Sequence, residues 1–138
     1  MIIKVVRIFL SSLVFKIKAF EQKDFNINLN ITIKTNFPQE NQLIQHVTFD
    51  LFHEIKDSPF DLNFTFIGHF SSEGEGSPTL QEFAKHNAPA YIVPYARELI
   101  ANITSRSGIF PTLVMPPLNV VELLKEVKKE EVLDTTPK

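Results

Sequence analysis

The sequence predicts an α+β fold: a four-stranded antiparallel meander sheet, with a long helix and a C-terminal helix packed on one of its faces. Two observations predict it. Alternation of apolar and polar residues runs from Phe25 to Phe66, and after Gly74, Gly76, Ser77 and Pro78 the spacing of apolar residues becomes helical. Strands first and helices after place the helices on one side of one sheet. At 138 residues the chain is one domain by length, expected to span 1–133 with a frayed tail at 134–138.

The first element, residues 2–17, is rich in Val, Ile and Phe and apolar on both alternating sets. That pattern predicts a strand covered on both sides or paired with another chain. Ser11 and Ser12 predict a bulge or bend within it. This segment is also tested as a targeting signal, because it is apolar with early positive charge. Its longest charge-free run, Ile8 to Phe15, lies between Arg7 and Lys16, no small-x-small cleavage site follows, and no stretch has the length of a membrane span. A cytoplasmic chain without stable membrane insertion is expected.

A charged connection, Lys18 to Asp24, leads to the clearest strand. Phe25, Ile27, Leu29, Ile31 and Ile33 fall on one face, and Asn26, Asn28, Asn30, Thr32 and Lys34 on the other. After a turn marked by Asn36, Pro38 and Asn41, the period of two continues through Leu43, Gln45, Val47, Phe49 and Leu51 to Ile55. Asp57-Ser58-Pro59 turns the chain into a fourth strand with Phe60, Leu62, Phe64 and Phe66 on one face.

In the second half, Ser77 or Thr79 is placed to cap a short helix through Leu80, Phe83 and Ala84. A longer helix is predicted from about Pro89 to Arg106, with Ile92, Tyr95, Ala96, Leu99, Ile100 and Ile103 at helical spacing and Gly108 as the stop. Three prolines between Ile109 and Leu118 require an extended segment, and Val120 to Glu131 reads as an amphipathic helix.

The composition excludes several chemistries. No Cys means no disulfide, thiolate-ligated metal or thiol catalysis, and a net charge of -2 provides no field for nucleic acid. His46, His53, His69 and His86 form no metal-ligand spacing, and no metal or other cofactor is expected. Glu98 is the one carboxylate with a catalytic reading, as the water-activating base of a hot-dog-like thioesterase. Its bland reading, a surface neighbour of Arg97, is preferred, and no enzyme is expected. Thirteen Phe with no Trp is the unusual feature. The apolar face of the sheet looks too large for two helices to cover, which points to self-association, an apolar binding groove, or both.

The stretch from Ala88 to Asn119 resembles the signature region of the SecB protein-export chaperones. The resemblance is carried by Pro94-Tyr95-Ala96-Arg97-Glu98, Ser105-Arg106, Phe110-Pro111 and Pro117-x-Asn119, and more weakly by Arg7-Ile8-Phe9 and Gln22-Lys23-Asp24-Phe25. It implies an ATP-independent holdase, a dimer or tetramer that keeps unfolded preproteins export-competent. By the same resemblance Phe25, Leu29 and Phe60 fall at client-binding positions, and Leu62, Phe64, Phe66, Tyr95 and Leu99 at the oligomer interface. The partners implied are unfolded clients, further copies of the chain and the motor SecA. The acidic outer-sheet residues that dock SecA are replaced here by Ser12, Lys16 and Asn63, and Ile109 looks like an insertion. A SecB-like chaperone dedicated to another client, such as an antitoxin, is the alternative reading.

Overall fold

The computed structural model describes residues 1–18, 29–52, 58–108 and 112–114. Four strands, β1 (Ile2–Ile17), β2 (Leu29–Asn36), β3 (Gln42–Leu51) and β4 (Phe60–Glu73), precede two helices, α1 (Leu80–His86) and α2 (Ala88–Ser105). All strand pairs are antiparallel and the order across the sheet is β1-β4-β3-β2. Consecutive strands β2, β3 and β4 thus form the meander, and β1 closes the sheet against the far side of β4. The expected C-terminal helix over Val120–Glu131 and the tail lie outside the described residues, as do Phe25, His53 and Ile55. Among the described residues no helix is long and apolar enough to cross a membrane.

The apolar residues of the alternating pattern all fall on one face. Leu43, Val47, Phe49 and Leu51 of β3 and Phe60, Leu62, Phe64, Phe66 and Phe70 of β4 are buried, and α2 covers them with Ile92, Val93, Ala96 and Ile100. Burying each such side chain contributes about 1.5–3 kcal/mol. The rings interlock: Phe49 stacks on Phe64 at 5.0 Å, and Phe66 meets Phe64 edge-on at 5.8 Å. A second cluster, Leu43, Phe70, Leu80, Phe83, Ala84 and Ala88, seats α1 on the same face.

β1 reads as apolar on both faces in sequence for a reason its register makes plain. The pairing with β4 shifts between Val5 and Arg7 and again between Leu10 and Ser12. Each shift adds one residue and reverses the alternation. Followed through both, Ile3, Val5, Ile8, Leu10, Leu13, Phe15 and Ile17 all lie opposite inner-face residues of β4, and Lys4, Arg7, Ser12 and Lys16 lie opposite outer-face residues. The second shift is the bulge expected at the serines, and Ser11 Oγ donates to the Thr65 carbonyl at 3.2 Å.

Local signals set the remaining boundaries. β3 ends where Phe52 adopts φ 65°, a left-handed conformation that a bulky residue tolerates when packing holds it. The Phe52 ring is held edge-on against Phe60 at 4.9 Å. Thr79 caps α1 in a reciprocal box with Glu82, which draws the Glu82 carboxyl below its usual range, first through the Thr79 backbone N–H and then through its hydroxyl. α2 runs unbroken through Pro94 and stops before Gly108, at φ 68°. Past the helix, the buried Thr104 hydroxyl accepts the Leu113 N–H at 2.9 Å and ties the following segment back to the helix end.

Candidate functional site

The structure corrects one expectation directly. Phe60, Phe64 and Phe66 are 1%, 0% and 6% exposed, so the chain's own α2 and its neighbouring rings cover the Phe face. Leu62 is likewise fully buried. The surplus apolar surface lies elsewhere, because α2 packs on β3 and β4 and covers β1 only in part: Ile8, Phe15 and Ile17 are half-buried against the core, and other inner-face residues of β1 are open. The inner-face residues Val5, Leu10 and Leu13 remain 45%, 40% and 38% exposed. Tyr95 rests on Phe66 at 5.9 Å and Tyr91 on Phe70 at 6.1 Å. Phe66 and Phe70 are the residues that face Leu10 and Val5 across the β1–β4 pair, so both exposed tyrosines border the same strip. The strip is the continuation of the core face without its cover. A surface of this kind binds another polypeptide by burial, with no motif needed.

The positions at which the sequence resemblance places client binding fall at the other end of the sheet. Leu29 is half-buried against the main core and pairs with Leu51, which pairs in turn with Leu62. Phe60 stands at the start of β4 between Phe15 at 5.5 Å and Phe52 at 4.9 Å. Phe25 lies outside the described residues. Leu29 and Phe60 therefore share one end of the sheet, two strands apart, with Leu29 half-buried and Phe60 fully packed. Of the remaining positions, Leu99 is half-buried on α2 and Tyr95 exposed, while Leu62, Phe64 and Phe66 form the bed that seats the helix.

Glu98 is exposed and borders a shallow depression with Ala101, Asn102, Ser105, Arg106 and Thr112. Among the described residues no group of His, Asp or Glu is arranged to hold a metal ion. His46 and His69 both sit on the outer face, where His69 Nε2 shares a hydrogen bond with Gln42. His46 is held below its ordinary value, first by burial and then by the Lys34 ammonium.

Two determinants of the site's shape have weak sequence signals. Gly68 lies where β4 passes under α2: a β-carbon there would stand 2.8 Å from the Phe70 ring and 3.0 Å from Ile92 Cδ1. An isolated glycine inside a strand pattern is the signal for such an approach. Gln45 is fully buried on the apolar face and donates to the Ala84 carbonyl at 2.8 Å, satisfying an end-of-helix acceptor of α1.

Comparison with known proteins agrees with this architecture. The family model described as preprotein translocase subunit SecB matches residues 3–131. An uncharacterised protein of Methanocaldococcus jannaschii is 31% identical over 125 residues, covering 84% of this chain and 80% of the relative. The protein-export protein SecB of Actinobacillus succinogenes is 27% identical over 125 residues, covering 84% of this chain and 75% of its own. Among solved structures, the SecB-like chaperone of Mycobacterium tuberculosis in complex with a ChAD peptide from the HigA1 antitoxin superposes with a TM-score of 0.65 at 18% identity. That match covers 84% of this chain and 90% of the other. A match that takes in both the strands and the helical signature, in a fold whose uncovered apolar surface suits polypeptide binding, leads to one conclusion: this chain belongs to the SecB family.

Proposed function

We propose that this protein is an ATP-independent holdase dedicated to one client or a narrow set of clients, such as an antitoxin, rather than a general carrier of preproteins. The SecB family is a non-catalytic chaperone class, so the chemistry to be explained is binding alone. The observation that carries the narrower reading is the outer face of the sheet. Ser12 lies opposite Thr65, Lys16 opposite Asp61, and Asn63 opposite both Val14 and Asp50. These are the positions at which the resemblance calls for the carboxylates that dock SecA. Without them a handover to the export motor loses its electrostatic partner. The peptide-bound chaperone of Mycobacterium tuberculosis supports the same reading, because its partner is an antitoxin segment.

In this reading a client segment lies across the Leu29 end of the sheet, over Phe60 and with Phe25 contributing. A second copy meets the Tyr95 and Leu99 side of α2, seated by Leu62, Phe64 and Phe66. Each client side chain buried contributes only a little, and several along one extended segment together give useful affinity. Affinity purification of the tagged chain from its native host tests the choice. A dedicated chaperone yields one dominant client and no SecA. A broad mixture of preproteins with SecA would establish the general export role instead.

A further inference from the structure

The outer face of the sheet has a patch of its own, unrelated to the client surface. Register places Arg7 beside His69, and His69 beside Ile44. In the next row Phe9 lies beside Ile67, Ile67 beside His46, and His46 beside Lys34. Directly opposed side chains in such pairs lie about 5 Å apart and diagonal ones about 7–8 Å, so Phe9, Ile67 and Ile44 form one continuous apolar spot. Arg7 and Lys34 stand at its two ends. Phe9 is 42% exposed although it points to the solvent side of the sheet, where a polar residue is the rule.

Among the described strand residues, the charges in these two rows are both positive, Arg7 and Lys34. The described carboxylates on this face are Asp50, Asp61 and Glu73, and none lies in these two rows. The salt bridges there, Lys4–Glu73 at 3.5 Å and Lys18–Asp61 at 3.2 Å, sit at the two ends of β4 and use neither Arg7 nor Lys34. A row of hydroxyls, Ser12, Thr65, Thr48 and Thr32, separates the patch from Asp50, with Thr48 and Thr65 hydrogen-bonded at 2.8 Å. His46 beside Lys34 has its pKa lowered, first by burial and then by the Lys34 ammonium.

We infer that this patch, built from Arg7, Phe9, Ile44, His46, Ile67 and Lys34, docks an acidic polypeptide segment carrying aliphatic side chains between its carboxylates. The aliphatic spot sets the register of the apolar residues, and Arg7 and Lys34 receive carboxylates on either side. A nucleic acid fits less well, because two permanent cations neutralise too few phosphates and the centre of the patch is apolar. The partner surface is thus opposite in sign to one that docks on an acidic sheet.

Fluorescence anisotropy on the full chain tests this with a labelled short peptide that has two leucines flanked by glutamates, and a twin with lysine at every glutamate position. The acidic peptide is expected to bind about tenfold tighter than its twin, and to weaken as salt rises. The pair Arg7→Gln and Lys34→Gln is expected to lower its affinity about tenfold, and Phe9→Ser to do the same with the salt dependence kept. Thermal melts matching the parent show that the variants are folded. Equal binding of the two peptides, or no change in the Gln pair, overturns the proposal. So does displacement of the peptide by an unfolded client, tight binding of a poly-uridine oligonucleotide through the same residues, or self-association that Phe9→Ser abolishes in the absence of any peptide binding.

Discussion

Gly68 and Ile92 meet where β4 passes beneath α2, with only 3.0 Å between Ile92 Cδ1 and the position a β-carbon on Gly68 would occupy. The helix is therefore seated on backbone at this point, and its height above the sheet is set by the absence of a side chain. Gly68→Val is expected to lift α2 and destabilise the fold by about 2–3 kcal/mol, with Gly68→Ala costing less. Urea denaturation of the two variants checks both the sign and the order.

Gln45 supplies a polar anchor between the sheet face and the α1 carbonyl end, through Ala84. Gln45→Ala leaves that acceptor buried without its donor and opens a space beneath the helix. A loss of about 1–3 kcal/mol in urea unfolding is expected, with faster amide exchange in α1 than in α2.

His46 gives the fold a pH dependence whose sign follows from its environment. Burial, and then Lys34, lowers its pKa in the folded chain below the ordinary 6.5. As pH falls, the unfolded chain takes up this proton first. The contribution is present above 6.5 and is lost as pH drops through the folded value. His46→Gln is expected to flatten the fall in the urea midpoint between about pH 7.5 and about pH 5.5.

Phe60 and Leu29 are expected to separate folding from client capture. Phe60→Ala removes a buried ring between Phe15 and Phe52 and is expected to cost about 3–5 kcal/mol, so any loss of client binding in that variant reports unfolding. Leu29→Ser alters a half-buried side chain at the strand end. It is expected to raise the chaperone concentration needed to hold a client several-fold while keeping the melting temperature within a few degrees of the parent. Aggregation assays run beside thermal melts check both variants.

Most of the sheet was legible because alternation is a direct image of a surface with one wet side. β3 and β4 begin at or beside the expected Leu43 and Phe60, the expected start of β2 at Phe25 and continuation of β3 to Ile55 lie outside the described residues, and Thr79, Pro89 and Gly108 mark helix boundaries with a mechanism for each. β1 was harder. Its two register shifts scramble a period of two into an apparently uniform apolar run, and no residue type announces the first of them at Val6. The helix cover was also misjudged. Counting apolar residues suggested an uncovered Phe face, but α2 lies over β3 and β4 and leaves Val5, Leu10 and Leu13 of β1 open, a consequence of where one helix crosses and not of how many apolar residues exist. The signature of α2 names the family without locating that crossing, which depends on Gly68.

The central claim is that this chain holds unfolded polypeptide by apolar burial, without nucleotide. Light scattering from a chemically denatured apolar client, diluted into buffer with and without the purified chain and with no ATP, tests it most directly. Suppression of aggregation at near-stoichiometric chaperone, weakened by Leu29→Ser and indifferent to added ATP, is the predicted result. A folded, monodisperse preparation that leaves aggregation unchanged at any ratio would contradict it.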